Sequence, residues 1–500
     1  MRTQISQLPT KPFILAFLAG LFLALSRLDW NLGFLAFFSF IPLFIFFQQV
    51  HKKRTVILSA LLFGSTYTLL ALHWISLVTI GGFLGLFLLF GFYFSLLFGA
   101  LNLVRKYAPK YTNLALIVFW MAFEYLQNFS EFRFPWFNLG YSLAEYNRLI
   151  QVADLGGVYL VSICSLLLNY LLFRSIFFTR KALIFLVGFV FLWWGYGYYR
   201  TATISLERSS ETISIVQPSI SQTAKWDPAS ADSILVDYQR LTAKAAAQDP
   251  ALIIWPESAL PDYLLQRNSK FRRFLRKQSA QHKIDIFSGF PRYKLAPKEH
   301  SQKYQFFNSA TLFYSDGSFA EPYDKIYLVP FGERIPFLDI FPVLWNIQLG
   351  QANFSYGEKP YYYQLKNYSY SPLICFEIAF PALTHQIMQQ PVDFMVNLTN
   401  DAWFERSVGT YQHAMLTKFR AVEVRRSIFR AANTGYSLVV DPLGNISEIT
   451  NLFEKTTLTH PIIIATEISF FTKYFTLFPL TCTILILYII IMVIYGRIKK

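Results

Sequence analysis

The sequence predicts a multi-pass α-helical membrane domain of eight transmembrane helices, with an α/β domain inserted before the last of them. Three observations carry this reading. The 500 residues are 54% hydrophobic and 18% aromatic, with a mean hydropathy of +0.35, too apolar for an ordinary soluble enzyme. Apolar runs long enough to approach a spanning helix fill the first 200 residues and return near the C-terminus. Between them, residues 205–468 change to short β-type runs mixed with helical patterns. The divisions are 1–199, 200–468 and 469–500.

The formal net charge of +15 invites a nucleic-acid reading, and its distribution argues against one. Residues 200–468 carry 27 Lys and Arg against 25 Asp and Glu, a net of +2. The flanking segments hold 18 basic and 5 acidic residues, a net of +13. The excess flanks apolar runs and forms no basic stripe on a soluble domain, so it encodes membrane orientation.

The expected spans lie near 12–28, 33–49, 55–74, 80–103, 112–127, 150–173, 182–199 and 474–495. Arg2 and Lys11 would also suit a signal peptide, but no convincing small-residue cleavage site follows, which favours a retained helix. Basic residues cluster on alternate ends of the spans, from Arg2 and Lys11 through Lys52, Lys53 and Arg54 to Lys499 and Lys500. The positive-inside rule then expects both termini in the cytoplasm and the 200–468 domain outside it. The loop 127–149, with FRFPWFNLGYS at its centre, falls on the outer side. Its aromatics suit a membrane interface, and a lipid-entry lip at Phe134, Pro135, Trp136 and Phe137 is the functional alternative. Glu124 and Asp154 read as carboxylates wetted at helix ends.

In the inserted domain, β-type runs fall at 213–217, 252–255, 284–290, 309–314, 394–398 and 436–441, with helices near 229–248, 264–282, 381–390 and 409–430. Sheets with helices packed on them are expected. Cys164 and Cys482 lie in membrane helices, leaving Cys375 the one thiol of this domain, unable to form a disulfide within it. A lone cysteine is more often a small buried hydrophobe. The setting of Cys375 is different. In SPLICFEIAF an apolar run ends at the thiol, and a helical pattern opens after Pro381. A thiol at such a strand–turn–helix junction is exposed near the positive end of a helix, which favours the thiolate.

Three other sites share that form. LIIW ends in Pro256, Glu257 and Ser258; YDKIYLVPFGE carries Lys325 and Glu333; MVNLT ends in Asn400, Asp401, Ala402, Trp403 and Phe404. If their strands are neighbours, a Cys, a Glu and a Lys meet at one rim. Cysteine is a strong nucleophile that needs a base, a glutamate in a partly apolar wall can shuttle the proton, and a lysine can stabilise an oxyanion. Taken singly, Glu257 or Lys325 reads as a surface charge.

Together, WPES, K-x-x-LVPFGE, ICFE and NDAWF resemble the nitrilase superfamily. With the flanking membrane helices, FPWFNLGYS and DLGGVYLVS, they narrow the resemblance to its membrane-embedded apolipoprotein N-acyltransferase family, over essentially the whole chain. The resemblance implies an αββα sandwich beside eight membrane helices, in a bacterial inner membrane with the catalytic domain on the periplasmic side. It implies a Glu–Lys–Cys set, with Glu257 the general base, Lys325 the oxyanion stabiliser and Cys375 the nucleophile. Glu333 and Glu377 become supporting acids, Trp226 and Trp403 pocket-lining tryptophans, and Asn308 of FFNSA part of the family's Asn-Ser strand. Two positions depart from the pattern: Phe376 replaces the usual tyrosine after the cysteine, and Tyr327 a usual histidine.

The implied reaction is a two-step acyl transfer. A phospholipid acylates Cys375, and the N-terminal amine of a diacylglyceryl-cysteine apolipoprotein then takes the acyl chain from the thioester. Both partners sit in the bilayer, so the site is expected to open toward it. The sequence shows neither a phosphate-binding loop nor a metal-ligand cluster, so no cofactor or metal is expected. The same three residues would serve a membrane-tethered nitrilase-like amidase or hydrolase, with water as second nucleophile. A transporter or scaffold with a degenerate outer domain is disfavoured, because Glu257, Lys325 and Cys375 all stand in motif context.

Overall fold

The computed structural model describes residues 11–49, 51–266, 268–297, 302–347 and 353–499. The chain divides into two compact units, Met1–Thr203 with Ser469–Lys500, and Ile204–Ile468.

The first unit is helical. Its main helices are α1 (Pro12–Leu25), α2 (Ile41–Gln48), α3 (Lys53–Ala71), α4 (Ile80–Tyr107), α5 (Thr112–Leu126), α6 (Ala153–Phe177) and α7 (Lys181–Thr203), with a C-terminal helix at Leu477–Ile498. Among the described residues, five of these are long and apolar enough to cross a membrane: α3, α4, α6, α7 and the C-terminal helix. Five of the eight expected spans thus have a helix of spanning length. Helices α1, α2 and α5 have 14, 8 and 15 residues. At about 1.5 Å per residue the longest of them reaches about 22 Å, short of a hydrocarbon core about 30 Å thick.

The second stretch is broken into a 3₁₀ turn, Gly33–Phe37, followed by α2 with Pro42 in its first turn. Buried Asn169 of α6 covers the break: it accepts from Phe40 N–H at 2.9 Å and donates to the Ala36 carbonyl at 2.8 Å. A side chain so placed lets irregular backbone sit inside an apolar unit.

Two further expectations are overturned here. Trp136 is only 1% exposed, packed on Phe134 and Trp74, and Phe137 packs on Tyr67 and Phe90. The FPWF loop therefore plugs the helical unit and presents neither an interface anchor nor a lip. Glu124 and Asp154 are also buried. Glu124 accepts from Trp120 Nε1 and Leu139 N–H, each at 2.7 Å, while Asp154 pairs with Arg200 and Tyr196, also at 2.7 Å. Partners, rather than interfacial water, make these carboxylates tolerable.

The second unit holds strands β1 (Leu206–Gln217), β2 (Leu252–Ile254), β3 (Asp285–Leu295), β4 (Tyr304–Phe313), β5 (Tyr323–Asp324), β6 (Tyr363–Leu365), β7 (Tyr368–Ile374), β8 (Phe394–Thr399), β9 (Ser427–Ala432), β10 (Leu438–Val440), β11 (Ile446–Ile449) and β12 (Thr456–Ala465). One sheet runs β12-β1-β2-β3-β4-β5 and the other β11-β10-β9-β8-β7-β6. Their facing sides share one apolar core, in which Ile213, Ile254 and Phe287 of the first sheet meet Tyr370, Val396 and Phe429 of the second. Helices α8 (Ala231–Ala246) and α9 (Lys270–His282) cover the outer face of the first sheet through Tyr238, Leu241 and Leu275. Helices α10 (Pro381–Ile387) and α11 (Val408–Val424) accompany the second. This is the αββα sandwich.

The centres of both sheets are parallel: β1, β2 and β3 in one, β7, β8 and β9 in the other. Parallel strands bring their C-terminal ends to one rim. The helix expected to run to 430 stops at Val424, where Arg425 turns left-handed at φ 53° and the chain enters β9. Edge strand β12 was missed because Pro461 interrupts its pattern, which only an edge position tolerates.

Candidate active site

Glu257 stands just past β2, on a turn held by β3. Gly289 N–H donates to Pro256 O at 3.3 Å, and Ala259 N–H donates to Gly289 O at 3.0 Å. A Cβ at Gly289 would sit 2.8 Å from Glu257 Cα, so only glycine lets the strand approach.

Lys325 follows β5, whose Asp324 is fixed by Arg292 and by Ser309 Oγ at 2.6 Å. Lys325 N–H donates to Asn308 O at 2.9 Å, tying the segment to β4. Its buried ammonium donates to Glu333 Oε1 at 2.8 Å and lies 3.7 Å from Glu257 Oε1. The Asn308 amide bridges the two acids, donating to Glu257 at 2.7 Å and to Glu333 at 3.0 Å. Burial raises the pKa of Glu257 above the carboxylate range; Lys325 opposes that shift and Glu333 adds to it. Burial alone would lower Lys325, but the two carboxylates reverse this and hold its ammonium above the usual range.

Cys375 follows β7 and opens a 3₁₀ turn, Cys375–Ala379, that leads into α10. Its φ of 50° is left-handed, a conformation costing a non-glycine residue about 1–3 kcal/mol and kept only where neighbours impose it. Glu377 is one of those neighbours. It accepts from Ile374 N–H at 2.7 Å with one oxygen, and with the other from Ile326 N–H at 2.6 Å, Tyr327 N–H at 3.1 Å and Tyr323 OH at 2.7 Å. It therefore clamps the cysteine turn to the lysine segment. Burial pushes it up to about 7 in spite of these donors.

The thiol is half-buried, and the expected thiolate is not supported. Burial raises its pKa above the ordinary thiol value; the charge of Glu257 raises it further and Lys325 lowers it. Burial thus favours the protonated thiol.

Among the remaining candidates, Trp226 ends the short helix Gln222–Trp226 and is 54% exposed, while Trp403 is half-buried in the turn Asp401–Phe404. Asn400 Nδ2 donates to Gln222 Oε1 at 3.0 Å, linking their segments. The two departures from the family pattern share one ring: Tyr327 stacks on Phe380 at 4.2 Å, and Phe376 meets Phe380 edge-on at 5.1 Å.

Sequence reasoning missed three groups and gave a fourth, Asp401, no role. Lys225 is buried with no hydrogen-bond partner at Nζ, and the charge of Glu257 acts on it. His413, Asp401 and Arg430 form a buried cluster behind Cys375, described below. Only Asp401 had a local signal, the NDAWF segment. His413 and Arg430 lie inside the patterns of a buried helix and a core strand, and Lys225 in a polar segment, QTAKW, that reads as surface.

Two family models match the chain: "Apolipoprotein N-acyltransferase N-terminal domain" over residues 19–171, and "Carbon-nitrogen hydrolase" over residues 212–469. A protein of Geobacter metallireducens named apolipoprotein N-acyltransferase is 30% identical over 95% of this chain and 94% of its own length. The chain belongs to the apolipoprotein N-acyltransferase family. Another protein of that name, from Chlorobaculum tepidum, is 27% identical over 96% of each chain. One from Rickettsia prowazekii is 30% identical over 84% of this chain and 86% of its own. For an apolipoprotein N-acyltransferase family member, the second unit is thus the nitrilase-like part and the apolar helices the membrane-embedded part.

Proposed function

We propose that this chain transfers a fatty acyl group from a membrane phospholipid, through a thioester on Cys375, to the N-terminal amine of a diacylglyceryl-cysteine apolipoprotein. The observation that carries this reading is the buried Glu257–Asn308–Glu333–Lys325 network, whose charges act on Cys375, in a chain of this family. Glu257 takes the Sγ proton as the sulfur adds to the sn-1 ester carbonyl. The Lys325 ammonium faces the developing oxyanion. The ester C–O bond then breaks, and Glu257 returns the proton to the leaving oxygen, releasing lysophospholipid. In the second half, the amine adds to the thioester, Glu257 removes its proton, and the proton passes to the departing thiolate. The amide forms and the thiol is regenerated. Ester to thioester to amide is downhill overall.

The basic clusters support eight crossings, with α1, α2 and α5 crossing together with their flanking turns, and with the catalytic unit on the periplasmic side of a bacterial inner membrane. Reporters fused after Lys181 and after Thr203 should report opposite compartments; one shared compartment would sink this topology.

The chemistry is tested with purified protein and phospholipid. Without an amine acceptor, an acyl adduct should accumulate on Cys375. A diacylglyceryl peptide with a free N-terminal amine should discharge it to the amide, and a peptide with that amine blocked should leave it in place. Fatty acid released at one rate with and without the amine would mean a hydrolase and would end the transferase reading.

A further inference from the structure

The nucleophile's own carbonyl is held from behind. His413, on α11, places Nε2 3.1 Å from the Cys375 carbonyl oxygen. A carbonyl only accepts, so Nε2 carries a proton and donates it. The other ring nitrogen, Nδ1, lies 2.9 Å from Asp401 Oδ1 and 3.0 Å from Arg430 Nη2. A proton on Nδ1 is drawn by that carboxylate and opposed by that guanidinium, and burial keeps the pKa of the ring below its ordinary value. The Nε2 donor is directed at the backbone carbonyl.

Further hydrogen bonds hold the Asp401 and Arg430 side of the ring. Asp401 accepts from Thr399 Oγ1 at 2.8 Å and from Arg430 Nη2 at 2.8 Å. Arg430 Nη1 donates to Asn397 Oδ1, and Asn397 Nδ2 donates to Leu373 O at 3.1 Å, which returns to the strand leading into Cys375. A Cβ at Gly435 would meet Asp401 Oδ2 at 2.2 Å, so the chain leaves this carboxylate its space by having no side chain there. His413, Asp401 and Arg430 are each 1% exposed or less.

Such a frame has a job at a left-handed cysteine. With φ at 50°, Cys375 holds a conformation that non-glycine residues rarely adopt, and rotation about its N–Cα bond would swing both its carbonyl and the thiol. A carbonyl pinned by a donor on a buried, fixed ring cannot rotate. We propose that His413 is a positioning residue for the nucleophile, and that Asp401 and Arg430 hold its ring so that Nε2–H fixes the Cys375 carbonyl. The inference rests on the proposed nucleophilic role of Cys375.

The test compares His413→Gln, whose amide can reach the carbonyl, with His413→Asn, one methylene too short, and His413→Leu, in the full-length protein. The first readout is the rate of Cys375 alkylation by iodoacetamide, which needs no acyl substrate. The second is the rate of acyl adduct formation from phospholipid, with its donor KM and pH midpoint. Asn and Leu should slow both rates by about 10- to 100-fold, with donor KM and pH midpoint unchanged, while Gln stays within about threefold of the wild type. If Leu does not fold, the Asn and Gln pair decides. Equal slowing by Asn and Gln, or no slowing at all, would overturn the positioning role, and so would a shifted pH midpoint. A wild type that forms no acyl adduct defeats the acyltransferase reading alone, because alkylation still reads the nucleophile's placement.

Discussion

Lys325 donates to Glu333 at 2.8 Å, a direct bond that its longer 3.7 Å approach to Glu257 is not. Glu333 thereby anchors the ammonium, using its second oxygen to accept from Val329 N–H at 2.9 Å. Glu257 is left with the Asn308 bond and a looser ion pair, which suits a group that must gain and lose a proton. Lys325→Met should cut adduct formation by about 10²–10³ through the lost oxyanion partner. Glu333→Gln should also slow it, by less, because the lysine remains but loses its anchor. Single-turnover acylation of Cys375 ranks the two; an order reversed would place Lys325 outside the chemistry.

The pH dependence follows from two raised groups. In the proposed mechanism Glu257 acts as a carboxylate, and burial raises its pKa, so acylation should rise with pH through one midpoint above the ordinary glutamate value. Cys375 stays protonated beyond the ordinary thiol range near about 8.5, so no second rise should appear there. Lys225 favours the ionised form of Glu257, and Lys225→Met should move the midpoint to higher pH. Burial lowers Lys225 itself to about 8. Between there and the ordinary lysine value, only the unfolded chain still binds that proton. Stability should therefore rise with pH over that window in the wild type. A thermal melt series should show the rise, and its loss in Lys225→Met.

Glu377 predicts a different signature. All of its donors are backbone N–H groups or the Tyr323 hydroxyl, so Glu377→Gln sets an NH₂ against at least one donor. An unsatisfied buried pair of this kind costs about 1–3 kcal/mol. The clamp joins the turn of Cys375 to the segment after Lys325, so the loss should appear in acylation rate at an intact fold. Unchanged acylation with a lowered Tm would reduce Glu377 to a purely structural role.

Much of this was legible in the sequence, and the gaps have physical causes. The strands before Glu257 and Cys375 announce themselves as apolar runs ending in turns and form at those residues, but they belong to different sheets and are not neighbours within one. The charge pattern separates the two units without any structure. What escaped was tertiary. Asn169 bridges a helix break 129 residues away in sequence, and Glu377 reaches 51 residues back to Ile326. His413 and Arg430 sit in helical and strand patterns whose other members are core residues, so only the packed sheet reveals that they face the cysteine turn. Aromatic loops are ambiguous in the same way: FPWF has the composition of a membrane belt and the location of a core.

That loop gives the last prediction. Trp136 touches Trp74 and Phe134 with almost none of its surface open, and its carbonyl accepts from Arg27 Nη2 at 3.2 Å. Trp136→Ala should open a cavity and remove aromatic contacts without removing that backbone acceptor. Truncations of this size in packed cores cost about 3–5 kcal/mol. The expected result is a clear fall in Tm of the protein in detergent or nanodiscs, with donor KM unchanged at temperatures where the variant stays folded. A lip would behave the other way, because a residue meeting lipid substrate contributes to binding and little to the core. A raised donor KM at unchanged Tm would therefore restore the lip and show that the loop leaves the core during turnover.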